Sequence, residues 1–186
     1  QKGYFVIQTF KIQKIYKDST SLLEAQKRIT VIGRAKDSIA VLKQIIVDDK
    51  GLKEYLAKNK ITATKTTSGT YVEILKAGTG TINDSVGVKV NYTGKTFAGF
   101  VFDSNTDSTF KHMEPLRFSV GVGQMIKGFD DAMPFLKKGG KATIYIPSML
   151  GYGAAPPPGG PIKPYDHLLF EVTILDVQAK APDPAK

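Results

Sequence analysis

The residue types that carry proton and nucleophile chemistry are scarce in this 186-residue sequence. Cysteine is absent, which removes thiolate nucleophiles, disulfides and thiolate metal sites. The two histidines, His112 and His167, have no triad context around them. Each reads as an ordinary surface or strand-rim histidine. Asp130 and Asp131 are adjacent on an expected helix and point apart, a poor metal clamp, and with Cys absent and His sparse no dedicated zinc site is expected. The stretch Gly121-Val-Gly123-Gln-Met-Ile-Lys-Gly128 has the texture of a phosphate loop. Gly128 is followed by Phe129-Asp130, however, and the dinucleotide fingerprint fails on spacing. Asn83-Asp-Ser85 and Asn91-Tyr-Thr93 match glycosylation tripeptides, which are common by chance. The Pro156–Pro161 run reads as a turn-rich loop, because two glycines undo polyproline stiffness.

What is concentrated instead is apolar and aromatic: Tyr92, Phe97, Phe100, Phe102, Phe118, Met125, Ile126, Phe129, Tyr152, Tyr165 and Phe170, many of them beside turns. A hydrophobic core accounts for most of this set. Two tyrosines are placed differently. Tyr92 ends an alternating run just before Gly94, and Tyr152 stands between Gly151 and Gly153. Tyrosines at such places commonly face a cleft with a hydrogen-bonding tip. Asp103 follows Phe102 and sets one carboxylate beside the apolar residues. A concave apolar site with few polar groups is a binding pocket by default.

The elements that must position these residues fall into two textures. Residues 4–16 are aromatic and β-branched and read as a strand. A helical pattern then runs from about Ser21 to Val47. Its stripe uses Leu22, Leu23, Ala25, Ile29, Ile32 and Ala35, continued by Ile39, Leu42, Ile45 and Ile46. A second helix is expected from Asp48 to Asn59, with acidic residues at its start and Leu52, Tyr55 and Leu56 on one face. Such faces need an apolar partner: a neighbouring domain, each other or a second chain. From Thr70 onward short strands alternate with glycine turns. Strands are expected at Tyr71–Leu75, Val86–Tyr92, Phe97–Phe102, Leu116–Val120, Lys141–Pro147 and Leu168–Val177. Residues 103–115 and 151–164 read as long loops. A short helix starts near Gly128, with Phe129, Ala132, Met133 and Leu136 at helical spacing. Pro134 must fall in its first turn or distort it. Many strands around one short helix make the fold class α+β and not an alternating βαβ fold, here preceded by a mainly helical extension.

Charge divides the chain at the same place. Of the net charge of +9, residues 1–68 hold +8, from 14 Lys/Arg and 6 Asp/Glu. All 10 prolines follow Gly69. The expected organisation is an N-terminal extension over 1–68, a domain over 69–179 and a tail over 180–186. The lysines of the first part are dispersed, so a solvated basic surface is favoured over a nucleic-acid site. No run reaches the about 18 apolar residues of a membrane span. Neither an initiator Met nor a charged-then-apolar leader is present, which reads as a mature product or a piece of a longer chain from which any targeting signal has been removed.

Taken in order, the blocks of the second part resemble a family. Val90-Asn-Tyr-Thr-Gly94, Phe102-Asp-Ser104, Phe118-Ser-Val-Gly121, Gln124-Met-Ile-Lys-Gly-Phe-Asp130, Leu136-Lys-Lys-Gly-Gly-Lys141, Ile146-Pro-Ser148, Gly151-Tyr-Gly153 and Leu168-Leu-Phe-Glu-Val172 resemble the FKBP-type peptidyl-prolyl isomerases. The resemblance implies an antiparallel sheet curled around one short helix and catalysis of Xaa-Pro rotation, with no cofactor. It implies Tyr92, Phe102, Asp103 and Tyr152 as catalytic residues. Leu116, Met125, Ile126, Phe129, Ile162 and Phe170 are implied as substrate-binding. Phe129 stands where the family often has Trp, and Leu116 where many members have Phe. The stretch Gly160–Tyr165 departs from the usual pattern. Implied partners are proline-containing unfolded or nascent polypeptides, with macrolides as candidate inhibitors. Residues 49–69 look like the linker helix of exported bacterial members, which implies a periplasmic or outer-membrane-associated protein, monomeric or dimeric through its N-terminal helices. Residues 4–15 faintly resemble the final strand, as if an earlier repeat ended there. A non-enzymatic chaperone using the same pocket is the alternative.

Overall fold

The computed structural model describes residues 18–84 and 86–178. The expected strand over 4–16, Ser85 of one glycosylation tripeptide and the tail lie outside them. So do the side chains of Leu22, Ala25, Ile29, Ile32 and Ala35 in the expected helical stripe.

Helix α1 runs without interruption over Ser19–Lys58. The break expected at Asp48 does not occur. Acidic residues favour helix starts because they face the positive end of the helix dipole. Here Asp48 and Asp49 lie mid-helix and are used for tertiary hydrogen bonds instead. The chain separates into two compact units, Gln1–Leu42 and Lys43–Lys186.

That unit contains β1 (Thr64–Lys65), β2 (Tyr71–Lys76), β3 (Gly87–Thr96), β4 (Val101–Ser104), β5 (Leu116–Ser119), helix α2 (Lys127–Asp130), β6 (Lys141–Ile146) and β7 (Leu168–Gln178). The strands form one antiparallel sheet in the order β1-β2-β6-β7-β3-β4, and β5 pairs with the first half of β3. Strand β1 was not expected from its polar Thr-Lys pair; it folds back on Tyr71 and Val72. The expected strand over Phe97–Phe102 begins only at Val101. Gly99, at φ +90°, instead makes the turn that reverses the chain between β3 and β4, closed by Thr96 N–H donating to Phe100 O. Pro134 distorts the short helix, as its missing N–H requires. Helix α2 stops at Asp130 and a separate 3₁₀ turn covers Met133–Phe135.

One face of the sheet packs on α2 and on the 3₁₀ turn that follows it. Val72, Val88, Val90, Ile144, Ile146, Val172 and Ile174 bury against Phe129, Ala132, Met133 and Leu136. This is the alternation expected of half-buried strands meeting the apolar side of one helix. A second cluster lies on the other side, where Leu52 and Leu56 of α1 bury against Tyr71 and Tyr145, flanked by Tyr55, Ile61 and Phe97.

Candidate functional site

Four strands and helix α2 converge on one cavity of about 190 Å³. It is lined by Tyr92, Phe102, Asp103, Leu116, Gln124, Met125, Ile126, Phe129, Tyr152 and Phe170. Strand β3 supplies Tyr92, β4 supplies Phe102 and Asp103, and β7 supplies Phe170. Close approach of these strands depends on Gly94. A Cβ there would sit 2.7 Å from the Phe102 ring and 2.9 Å from the Phe170 ring. With no Cβ in the way, Phe102 and Phe170 meet edge to face with centroids 5.5 Å apart, and Phe170 meets Phe129 at 5.1 Å. Such arrangements suit the ring quadrupoles. Phe129 is only 1% exposed and closes the floor. Its helix can reach so deep because Gly128 lies against Ile146, where a Cβ would come within 2.4 Å of the Ile146 side chain.

The cavity's polar groups stand at its rim. Tyr92 Oη donates to Asp103 Oδ2 at 2.6 Å, and the other carboxylate oxygen meets His112 Nε2 at 2.7 Å. Burial, reinforced by that carboxylate, pushes the Tyr92 hydroxyl well above the usual phenol range. Burial, followed by the charge on Asp103, raises the Tyr152 hydroxyl as well. Both phenols therefore stay protonated at neutral pH. Tyr92 has spent its proton on Asp103. The Tyr152 hydroxyl makes no hydrogen bond among the described residues and is a donor available to a ligand.

Loop geometry fixes these positions. Asn105, nearly fully buried, accepts from Tyr92 N–H at 2.8 Å and donates to Val90 O at 3.1 Å and Glu114 O at 3.2 Å. One amide thus ties both ends of the loop over 105–115, two residues shorter than expected because β4 runs on to Ser104, to β3. Tyr152 is held by a 3₁₀ turn over Ser148–Leu150, whose first carbonyl accepts from Gly151 N at 3.0 Å and Gly153 N at 2.8 Å. Gly153 takes φ +55°, in the left-handed region that favours glycine.

Nine of the ten expected site residues line the cavity. Ile162 does not; it is partly buried against the core cluster. Gln124 lines the cavity without having been expected, and its Oε1 accepts from Ser119 N–H at 2.8 Å. His112, read as ordinary surface, contacts the site's carboxylate. No short-range motif could have signalled that contact, since it depends on how the 105–115 loop folds back. His167, read as a rim residue, is packed against Gly51 and Phe97. Asp130 and Asp131 do point apart, to Gly121 N and Lys127 Nζ. Among the described residues no group of three His, Cys, Asp or Glu could hold a metal ion.

The arrangement offers an apolar slot, a fixed carboxylate and one uncommitted hydroxyl donor. A family model described as FKBP-type peptidyl-prolyl cis-trans isomerase matches residues 78–175. The chain is similar to the probable FKBP-type peptidyl-prolyl cis-trans isomerase of Haemophilus influenzae, at 36% identity over 172 residues, covering 91% of this chain and 67% of that protein. It is 44% identical over 90 residues to a Neisseria meningitidis FK506-binding protein, covering 48% of this chain and 78% of that one. Among solved structures it is similar to FkpA from Escherichia coli, with a TM-score of 0.59 and 29% identity over 89% of this chain and 75% of that chain.

Proposed function

The chain belongs to the FKBP-type peptidyl-prolyl cis-trans isomerases, and we propose that it turns over Xaa-Pro bonds in the cavity between Tyr92, Phe102, Asp103 and Tyr152. The observation that carries this is the pairing of an aromatic floor with a hydroxyl donor that no described residue engages.

Rotation about an Xaa-Pro bond crosses a barrier of about 18–20 kcal/mol and takes tens to hundreds of seconds unaided. The barrier comes from amide resonance. The planar form is the more polar one, and water favours it; the twisted form is less polar. A proline ring seated against Phe129 and Phe170 loses that water, so the planar ground state loses its extra solvation and the barrier to the twisted form falls. Tyr152 Oη donates to a carbonyl of the bound peptide and holds the substrate in register. Asp103, fixed by Tyr92, carries the rim's negative charge beside the entering chain. Nothing in this sequence of events moves a proton or forms a covalent bond.

The substrates are proline-containing unfolded or nascent polypeptides, whose folding this exchange assists. Macrolides that present a proline-like ring compete for the same cavity. Similarity of residues 49–69 to the linker helix of exported bacterial members supports a place in the bacterial envelope. No helix among the described residues is long and apolar enough to cross a membrane. Exposed Ile39, Leu42, Ile45 and Ile46, the last at 70%, support a homodimer through α1.

The test is a nuclear magnetic resonance titration of a short Xaa-Pro peptide with the whole protein. Accelerated exchange should accompany shifts of the Tyr92, Phe102, Tyr152 and Phe170 resonances. Acceleration with those resonances unmoved would place the chemistry elsewhere.

A further inference from the structure

We propose that Asp48 of α1 is a positioning residue for Tyr152: through Ser148 it holds the loop that presents the Tyr152 hydroxyl to the substrate. The inference rests on the reading of Tyr152 as the donor to the bound carbonyl.

Asp48 is 1% exposed, in a helix whose neighbouring turns are largely solvated. A buried carboxylate is retained only where its oxygens are satisfied. Here Oδ2 accepts from Ser148 Oγ at 2.8 Å and from Met149 N–H at 3.1 Å, and Oδ1 accepts from Gln44 Nε2 at 2.7 Å. The first two donors form the start of the 3₁₀ turn before Tyr152. Ser148 then spends its own carbonyl on Gly151 N and Gly153 N, the residues flanking Tyr152. A single residue therefore links the Asp48 carboxylate to the backbone on both sides of the donor. Asp48 is 100 residues from Ser148 in sequence, so this contact ties the stretch of α1 that follows Leu42 into the unit that carries the cavity.

The surroundings exclude two other roles for the cluster. His167 also faces Asp48, and burial holds its imidazole below the usual histidine range despite the charges of Asp48 and Asp166. It is neutral at pH 7, so Asp48 is held by hydrogen bonds and not by a histidine cation. Ser148, Asp48 and His167 also have the residue types of a nucleophile triad. Ser148 is 0% exposed, however, and its hydroxyl donates to the carboxylate, not to the imidazole, so no substrate can reach it.

The measurement is kcat/KM on an Xaa-Pro peptide, with the full chain carrying Tyr152→Phe, Asp48→Ala, both together, and Asp48→Asn. Thermal unfolding checks that each variant is folded. Tyr152→Phe alone should lower kcat/KM by about two- to tenfold, the range for one lost hydrogen bond. Asp48→Ala should cost a similar factor, and the double variant should be no slower than Tyr152→Phe. Asp48→Asn should recover most of the loss. Its amide oxygen still accepts from Ser148 and Met149, and a flipped Gln44 accepts from its amide nitrogen. If Asp48→Ala proves unfolded, Ser148→Ala replaces it in the same cycle with the same expectation. Losses that multiply in the double variant would overturn the positioning role. So would an Asp48→Ala protein with wild-type kcat/KM. A Tyr152→Phe protein as active as the wild type would instead remove the donor reading itself, and the proposal with it.

Discussion

At the scale of single residues, the cavity is held open by what Gly94 lacks. Adding one methyl group at Gly94 places it inside the van der Waals envelope of both Phe102 and Phe170. The Gly94→Ala protein is expected to lose about 1–3 kcal/mol of stability, the usual cost of overpacking. Its peptide exchange activity should fall as Phe102 is pushed from its edge-to-face contact. Chemical denaturation and exchange spectroscopy on the same sample read both. Unchanged stability would mean that the rings relax freely. Glycine in a strand is conspicuous in a sequence, but its reason is not: the spacing of residues shows a missing side chain and not the two rings that need the space. The same limit applied to His112. Its contact with Asp103 comes from the fold of a loop whose anchor, Asn105, has no periodic signature. By contrast Tyr92, Phe102, Asp103 and Tyr152 were legible, because each stands at a fixed place beside a turn glycine or within an ordered motif.

At the scale of elements, α1 is docked by a mixed apolar and ionic seam. Leu52 is fully buried against Tyr71 and Tyr145, and Leu52→Ala should cost about 2–5 kcal/mol. Beside it, Asp49 accepts from Tyr71 Oη at 2.9 Å and pairs with Lys53 and Lys65. Lys53 first and Lys65 second hold the Asp49 carboxyl down at about 2, against the smaller opposing effect of burial. Burial first and Asp49 second push the Tyr71 hydroxyl up to about 12. A depressed carboxylate stabilises the fold above its unfolded pKa near 4. That contribution disappears as the pH falls through about 2. A raised phenol does the reverse: its contribution is whole below about pH 10 and is lost as the pH rises through about 12. Unfolding temperatures of wild type and Asp49→Asn should therefore differ at pH 5 to 9 and converge toward pH 2. A difference that persists unchanged at pH 2 would contradict the pairing. Sequence patterning located α1's lower face through Leu52, Tyr55 and Leu56 but split the helix at Asp48. An acidic pair looks the same whether it faces a helix dipole or a distant loop. The strands were easier to locate, since alternation reports half-burial directly, except where Gly99 turned an aromatic run into a hairpin corner.

For the molecule as a whole, the compact unit over Lys43–Lys186 is larger than the segment over 78–175 that the family model matches. A fragment over 69–186 loses β1, the Leu52 and Leu56 cover and the Asp48 anchor, whereas a fragment over 43–186 keeps all three. The longer fragment should unfold at clearly higher denaturant, and equal midpoints would show that α1 adds nothing to this unit. The charge asymmetry belongs to the same scale. With +8 of +9 in the first 68 residues, salt should alter binding to acidic surfaces but leave turnover of a neutral peptide unchanged. Dimerisation through α1 predicts a sedimenting species of twice the chain mass at micromolar concentration, and Ile46→Glu should return it to the monomer. The central claim is that the aromatic cavity itself carries the rotation. Its most direct test is exchange spectroscopy of an Xaa-Pro peptide with the whole chain, wild type against Phe102→Ala/Tyr152→Ala. The account predicts acceleration in proportion to wild-type protein, and near-background exchange with the folded double variant. A folded variant that matched the wild type would contradict it.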